Sequence, residues 1–454
     1  MRWKTTLVLL IAAVALGSYV SLYELKQPTP EERHSQRRQV LRIDPDEVEK
    51  LLIELPSTRL TLEQHDGRWR CTSPLSARAD SAVVWSILDA LSPLDAQAAM
   101  EDTPHSPINR AAYGLAPSQG TLTILSGSQA TMLEFGAPSA VGDGRYAALA
   151  GTPKVFVIDN ELFETLDAPI DAYRSHELLD FDTWRITQIV VSAPARRYSL
   201  RKDGERWRVV EPLEDVVDGA ALSSLLNALR GLRAQRFITE APQVEQVTEW
   251  GFQTPAVHVR LEFEEGSEAL ELFVGKPTSD NPEQLYAKRT DEATIYAVEQ
   301  SSVEGLLKNP QSLRSRACFE FFVNQLTKIH VTTGATSWSL EQRDGQWVTA
   351  DGTALEASTF EEWLWKLRET KLIRFVEDGP QDLSRYGLSP PQDRIDAWIV
   401  GQEQPEALLV GQTADPEALT RYGQCPGRPS VVELPASLTE LLATAISPNQ
   451  SGSE

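Results

Sequence analysis

The stretch Asp203-Gly204-Glu205-Arg206-Trp207 recurs twice in this sequence, as Asp66-Gly67-Arg68-Trp69 and as Asp344-Gly345-Gln346-Trp347. An alternating apolar and polar segment precedes each Asp-Gly pair. Because Asp-Gly readily adopts the positive φ angles of a tight turn, each stretch predicts a β-hairpin whose return strand begins at the tryptophan. The tryptophans are 138 and 140 residues apart, which indicates a long internal repeat.

Each predicted hairpin is followed by a segment with helical periodicity. Apolar residues recur at i, i+3, i+4 and i+7, the spacing that places them on one face of a helix. Asp80 and Asp218 are expected to cap the first two helices, and Ser358 with Glu361 has the pattern of a capping box for the third. The periodic positions are Val84, Ile87, Leu88 and Leu91, then Leu222, Leu225, Leu226 and Leu229, then Phe360, Trp363, Leu364 and Leu367.

Three further motifs follow each helix in the same order. An aromatic–glycine–apolar triplet precedes a strand that ends in glycine, and a tyrosine lies 10 or 11 residues after that glycine. We expect the triplet glycine to adopt a left-handed turn conformation, with the aromatic side chain packing inward. The triplets are Tyr113-Gly114-Leu115, Trp250-Gly251-Phe252 and Tyr386-Gly387-Leu388, the glycines are Gly136, Gly275 and Gly411, and the tyrosines are Tyr146, Tyr286 and Tyr422.

These patterns predict an α+β fold made of three tandem repeats of a mainly antiparallel sheet-plus-helix unit. Strands and helices do not alternate in the manner of a parallel sheet, and little chain lies between the repeats, which indicates an ordered stack. The repeat units are assigned to residues 43–180, 181–318 and 319–446. Residues 24–42 are expected to form a juxtamembrane stalk and residues 447–454 a disordered tail.

The first 23 residues predict an N-terminal membrane anchor. Arg2 and Lys4 precede an uncharged stretch from Thr5 to Tyr23, which as a helix would be ~28 Å long, close to the ~30 Å hydrocarbon core of a bilayer. A cleaved signal peptide is the alternative, because Ala15-Leu16-Gly17 resembles a cleavage site. We expect a single-pass protein of the inner (cytoplasmic) membrane with an extracytoplasmic, periplasmic body.

Charge and motif content argue against several kinds of site. The net charge of −22 disfavours nucleic acid, because such a body repels the phosphate backbone. The histidines and cysteines lack the spacing of metal ligands, and no catalytic, cofactor-binding or metal-binding residue is predicted. Cys71, Cys318 and Cys425 form no disulfide framework and are expected to be small buried side chains.

Two motifs suggest ligand binding at first sight. Gly275-Lys276-Pro277-Thr278 looks like part of a phosphate-binding loop, but Leu270 occupies the position of the required first glycine, so we expect a structural turn. The repeated tryptophans would bind sugars if their rings were exposed. A hairpin tryptophan that packs on its own core is the interpretation we favour.

The assembled pattern resembles a large bacterial family described as domain of unknown function 4340, and the resemblance extends from residue 1 to about residue 445. Members of that family are often encoded beside ABC-transporter subunits of the gliding-motility type, which implies such subunits as partners in the same membrane. The family supplies no catalytic residues. The residues that carry the resemblance are Arg2–Leu7, Tyr19–Leu25, Ile43–Val48, Asp66–Trp69 and Ala112–Leu115.

We therefore expect a non-enzymatic, membrane-anchored accessory or scaffold module that partners an ABC-type transport system and uses no cofactor. An extracytoplasmic module that binds cell-envelope polysaccharide or peptide is the main alternative, and an enzyme of unknown type is the third. Exposure of the repeated tryptophans would favour the binding module, and burial would favour the accessory protein.

Overall fold

The computed structural model describes Trp3 and residues 38–443, apart from 102–106, 141, 265–267, 320, 322, 335 and 356. The described chain divides into two compact units between His176 and Glu177. Except for Trp3, the predicted anchor (1–23) lies outside the described residues, as do the stalk up to residue 37 and the tail (447–454). None of the helices in the described ranges is long and apolar enough to cross a membrane.

The first compact unit contains a two-stranded sheet and a nine-stranded antiparallel sheet, here called the first sheet. The small sheet pairs β1 (Gln39–Leu41), at the end of the segment assigned to the stalk, with β6 (Leu94–Asp95). The other elements are β2 (Lys50–Glu54), β3 (Arg59–His65), β4 (Arg68–Ser73), β5 (Ala77–Arg78), α1 (Ser81–Leu91), β7 (Ala98–Glu101), β8 (Gly120–Ser126), β9 (Gln129–Pro138), β10 (Gly144–Leu149), β11 (Lys154–Asp159) and α2 (Asn160–Leu166).

The second compact unit begins with another nine-stranded antiparallel sheet, the second sheet. Its elements are β12 (Ile186–Ala193), β13 (Arg196–Asp203), β14 (Arg206–Glu211), β15 (Asp215–Val216), α3 (Gly219–Arg230), β16 (Ala234–Thr239), α4 (Val244–Glu249), β17 (Val257–Phe263), β18 (Leu270–Pro277), β19 (Gln284–Arg289), β20 (Ile295–Glu299) and α5 (Gln300–Glu304).

The same compact unit ends with an eight-stranded antiparallel sheet, the third sheet. Its elements are β21 (Leu326–Thr333), β22 (Thr336–Arg343), β23 (Gln346–Thr349), α6 (Ala357–Glu369), β24 (Arg374–Asp378), β25 (Asp393–Ile399), β26 (Glu406–Asp415), β27 (Thr420–Gln424), β28 (Ser430–Leu434) and α7 (Ala436–Ala443). The prediction of mainly antiparallel sheets accompanied by helices is thus confirmed, and the helices are few.

The three large sheets share a strand order. The first runs β5-β4-β3-β2-β8-β9-β10-β11-β7, the second β15-β14-β13-β12-β17-β18-β19-β20-β16, and the third β23-β22-β21-β25-β26-β27-β28-β24. In each, the Asp-Gly hairpin lies near one edge, and the strand that follows the long helix closes the opposite edge by pairing with the last strand.

The long helices α1, α3 and α6 bury the apolar face that their sequences predict. All four periodic residues of α1 and of α6 are buried, whereas Leu222 and Leu226 of α3 remain partly exposed. Asp80 accepts hydrogen bonds from the backbone N–H groups of Ala82 and Val83 and so caps α1. Helix α6 begins at Ala357, so Ser358 lies in its first turn instead of at the predicted cap position.

The aromatic–glycine triplets form turns that pack against the sheet strands. Their glycines have φ angles of 68°, 85° and 66° at Gly114, Gly251 and Gly387, in the left-handed region expected from the sequence. The triplet aromatic contacts the tyrosine that recurs downstream. Ring centroids are 4.8 Å apart for Tyr113 and Tyr146, 4.9 Å for Trp250 and Tyr286, and 5.0 Å for Tyr386 and Tyr422.

Candidate functional site

The repeated hairpin tryptophans belong to the cores of their sheets. Trp69 is 2% exposed and Trp347 is 7% exposed, and each lies in the core cluster that contains its own long helix. Trp347 packs edge-on against Phe360, with ring centroids 4.6 Å apart. Trp207 is half-buried and packs at the margin of the second core. These rings therefore do not form an open platform on which sugars could stack.

The segment that resembles a phosphate loop is the end of a strand. Gly275, Lys276 and Pro277 are the last residues of β18, so the turn predicted there is instead an extended segment. The backbone N–H of Lys276 donates to the carbonyl of Trp250, which fixes the aromatic–glycine turn to the strand. The neighbouring cavity of about 390 Å³ includes apolar walls formed by Pro255, Val303 and Leu307. The N–H of Thr278 likewise donates to the carbonyl of Gln284, so these two backbone donors are used within the fold.

The described residues show no grouping of three or more His, Cys, Asp or Glu side chains that could hold a metal ion. His258 is typical of the histidines that the fold positions on a sheet surface. Its ring stacks on Phe273 with centroids 4.3 Å apart, and its Nε2 lies 2.9 Å from a carboxylate oxygen of Glu271. These contacts orient the imidazole within the sheet and account for its placement.

A groove of about 480 Å³ lies between α6 and α7 beside the third sheet. The two helices are fixed to each other where the indole Nε1 of Trp363 donates to the carbonyl of Leu441, 3.2 Å away. Because α6 turns its buried residues towards the core, the opposite side of the helix lines the groove. The lining residues are Trp365, Lys366, Glu369, Thr370, Lys371, Pro435, Ser437, Glu440 and Leu441.

Trp365 is the unusual residue of this groove. It is 56% exposed, although tryptophan is a large apolar side chain. It immediately follows the buried Leu364, and the residues at the corresponding positions of α1 and α3 are the exposed polar residues Asp89 and Asn227. The fold therefore does not require an aromatic residue at this position. A role in binding explains the exposed tryptophan better than core packing does.

The rim of the groove carries both signs of charge. Lys366 forms an ion pair with Glu362 of the same helix, with 2.7 Å between its Nζ and a carboxylate oxygen. Lys371, Glu369 and Glu440 complete the rim. An exposed aromatic centre within a mixed polar rim is the usual anatomy of a protein-docking surface, where tryptophan is enriched among the residues that dominate affinity. This groove is the candidate binding surface.

A buried charge cluster joins the second and third sheets within their compact unit. Asp215 is fully buried and accepts hydrogen bonds from Nε of Arg314 at 2.5 Å and from Nε of Arg428 at 2.6 Å. Arg314 also donates to Asp378 at 2.9 Å, and its guanidinium lies 3.5 Å from the ring centroid of Phe375. The positive charges of the two arginines are thus balanced by the carboxylates of Asp215 and Asp378. Such pairing offsets the free-energy cost of removing charged groups from water.

Arg428 extends the cluster to the segment that connects the two sheets. Its side chain donates to the carbonyls of Ala317 at 2.9 Å and of Ser315 at 2.5 Å. Burial alone would lower the pKa of Arg428, but the hydrogen bond to Asp215 and the attraction to its charge, with smaller contributions from Cys425 and Cys318, together outweigh that effect, and the pKa is raised. Arg428 therefore stays charged and braces the connecting segment. The cluster therefore links the third sheet, which carries the groove, to the second sheet.

Sequence reasoning missed Trp365 and Asp215. The signal for Trp365 was present, because an aromatic residue occupies a helix position that is polar in α1 and α3. The cluster had a partial signal, because Tyr173-Arg174-Ser175 and Leu313-Arg314-Ser315 lie 140 residues apart in the sequence, and both arginines are buried. Asp215 and Arg428 are 213 residues apart, so no local pattern connects them.

Comparison with protein families gives one finding. The model of the family described as "Domain of unknown function (DUF4340)" matches residues 69–246 and again residues 207–376. The two matches begin at the hairpin tryptophans Trp69 and Trp207, and together they cover more than half of the chain. No match was found among curated proteins.

Proposed function

The chain belongs to the DUF4340 family, and from this premise we propose that it is a non-enzymatic accessory protein that docks a subunit of an ABC-type transport system. The family description names no activity, so the support comes from this chain. The observation that carries the proposal is the groove at Trp365, an aromatic residue exposed where the fold does not require one.

We propose further that the body consists of three tandem copies of one unit. Three observations support this proposal: the shared strand order of the large sheets, the aromatic pair that recurs in each sheet with nearly equal spacing, and a family match that starts twice at the same landmark. Three similar folds would let the groove of the third copy specialise without a change in the other two.

The proposed location is the inner membrane, with a single span and the body in the periplasm. The support is the uncharged stretch from Thr5 to Tyr23 behind Arg2 and Lys4. An anchored body would share the membrane with its transport partner and so meet it at high effective concentration. We choose a transport subunit as the partner because of the family resemblance: members of that family are often encoded beside such subunits.

Co-purification from detergent-solubilised membranes tests the docking proposal. The wild-type chain should retain transport subunits, and Trp365→Ala should reduce the amount retained by about tenfold, because an interface tryptophan commonly contributes more than ~1 kcal/mol. Trp184→Ala is the matched control. Trp184 is 66% exposed and lies in the short turn of helix that directly precedes β12 of the second sheet. It should leave the retained amount unchanged.

Two results would contradict the proposal. The first is a wild-type chain that retains no transport subunit. The second is a Trp365→Ala variant that still binds the subunit as wild type does but has lost retention on cell-envelope polysaccharide. That second result would support the ligand-binding module instead, because an exposed indole also stacks on sugar rings.

A further inference from the structure

Cys318 and Cys425 lie in the same buried core cluster of the third sheet. Cys318 also lines one cavity together with Pro426, Gly427 and Arg428, the residues that directly follow Cys425. The two cysteines are separated by more than one hundred residues in the sequence, so the fold brings them into one core. Only three cysteines occur in the chain, and the third, Cys71, lies in the core of the first sheet.

Arg428 links the two cysteine-bearing segments. Cys425 directly follows β27, and its carbonyl accepts from the N–H of Arg428 at 3.3 Å. The Arg428 side chain donates to the carbonyl of Ala317, which directly precedes Cys318. The N–H of Cys318 in turn donates to the carbonyl of Thr370 at 3.3 Å, just after α6. Arg428 therefore holds the segment before Cys318 beside the segment after Cys425.

The second sheet shows that this proximity belongs to the fold. Leu178 corresponds to Cys318, since its N–H donates to the carbonyl of Leu232 just after α3, at 3.1 Å. Arg289 ends β19 as Cys425 follows β27, and its Nη1 donates to the carbonyl of Leu178 at 2.8 Å. In the second sheet the side chain at one of these positions therefore reaches the backbone of the other, and in the third sheet both positions are occupied by cysteine.

We propose that Cys318 and Cys425 form a disulfide when the chain folds in the presence of a disulfide oxidant. The bond would link the segment entering the third sheet to its β27–β28 connection. A disulfide joins sulfurs about 2 Å apart and needs backbones that lie beside each other, and Arg428 holds these two segments side by side. The inference does not depend on the docking proposal.

The reaction is a pair of thiol–disulfide exchanges. One cysteine, as the thiolate, attacks a sulfur of the external disulfide, which releases one thiol and leaves a mixed disulfide. The second cysteine then attacks the protein sulfur of that mixed disulfide and releases the second thiol. The protein loses two protons and two electrons, and the external disulfide is reduced to two thiols. A small-molecule disulfide such as oxidised glutathione suffices as the oxidant.

The folded environment determines when this exchange is fast. The hydrogen bond from Cys425 and burial both raise the pKa of Cys318 well above its ordinary range, so the reactive thiolate is scarce in the folded chain. The exchange should therefore proceed while the third sheet is still forming. Burial likewise raises the pKa of Cys71 to about 11, and Cys71 has neither of the other two cysteines in its core cluster.

The test uses the full chain, reduced and unfolded in denaturant, then refolded with a mixture of oxidised and reduced glutathione. Remaining thiols are alkylated, and the protein is digested without reductant and analysed by mass spectrometry. We expect one cross-linked peptide pair containing Cys318 and Cys425, with Cys71 alkylated. An intact chain lighter by two hydrogen atoms than the reduced chain would accompany it.

Thermal unfolding gives a second readout, first on the wild-type chain and then on cysteine variants. The oxidised chain should have a higher Tm than the same chain after reduction, because the bond closes a long loop. Cys318→Ser and Cys425→Ser should each abolish that difference, and Cys71→Ala should preserve it. Recovery of all three cysteines in alkylated form after refolding would overturn the proposal. A disulfide that includes Cys71 would overturn it as well.

Discussion

Single residues show why the hairpin tryptophans recur. Trp69 is enclosed by the first core, and its indole Nε1 has no hydrogen-bond partner among the described residues. Its contribution to stability therefore comes from packing. The sequence predicted this role because the aromatic residue returns behind the same Asp-Gly turn in each repeat. It could not predict that Trp207 would be half-buried, since that depends on neighbours elsewhere in the second sheet.

Replacing Trp69 by alanine should lower the free energy of unfolding of the first compact unit by ~3–5 kcal/mol, because a large core site is emptied. Trp207→Ala should cost less, because part of that ring already contacts solvent. Trp69→Phe is the matched control and should cost less than Trp69→Ala. Urea titration measures all three variants. Equal losses for Trp69→Ala and Trp207→Ala would contradict the difference in burial.

The charge cluster supplies another prediction for one residue. Asp215→Asn leaves the buried guanidinium groups of Arg314 and Arg428 without their shared carboxylate, so stability should fall by ~3–5 kcal/mol. The neighbouring Glu214→Gln is the control, because Glu214 is exposed in its pair with Arg208 and should change stability by less than ~1 kcal/mol. Thermal unfolding of both variants checks this, and similar losses would argue against the cluster as a brace.

At the scale of elements, the recurring strand glycines have a steric explanation. A Cβ atom added to Gly136, Gly275 or Gly411 would lie 2.3, 2.1 or 2.0 Å from the carbonyl oxygen of the triplet aromatic. Only glycine lets the aromatic–glycine turn approach the strand so closely. The sequence showed that these glycines recur, but the triplet turn and the strand glycine are separated in sequence, so their contact could not be predicted.

Gly275→Ala should therefore destabilise the second sheet by about 1–3 kcal/mol, because the turn at Trp250 must move away from β18. Gly219→Ala is the matched control. A Cβ atom at Gly219 meets nothing within 4 Å, and its position at the start of α3 tolerates alanine. That variant should be neutral or slightly stabilising in denaturant titration. A loss at Gly219 equal to that at Gly275 would contradict the steric account.

Local patterns explain how far the elements could be predicted. Hairpins and helices follow from turn chemistry and periodicity, which are confined to short windows. The closing edge strands β7, β16 and β24 were not predicted, because each pairs with a strand far along the chain. The pairing of β1 with β6 is likewise non-local. Strand β1 lies in the segment that composition alone assigned to the stalk.

At the scale of the whole molecule, the recurrence of the hairpin, helix and triplet motifs was accessible from the sequence, and the candidate binding surface was not. The groove requires α6 and α7 to pack side by side, and these helices are separated by most of the third sheet. The placement of Cys318 and Cys425 in one core and the cluster at Asp215 likewise depend on long-range pairing. The second and third sheets share one compact unit, so the groove is part of a unit that contains both sheets.

The central claim is that this groove docks a transport subunit, and site-specific photo-crosslinking in native membranes tests it most directly. A photoreactive residue placed at position 365 should form a cross-link to a subunit of an ABC-type transporter, identified by mass spectrometry. The same photoreactive residue at position 184, which is also exposed and directly precedes β12, should not cross-link to that subunit. Cross-linking of that subunit at position 184 and not at 365, or of no transport subunit at 365, would contradict the account.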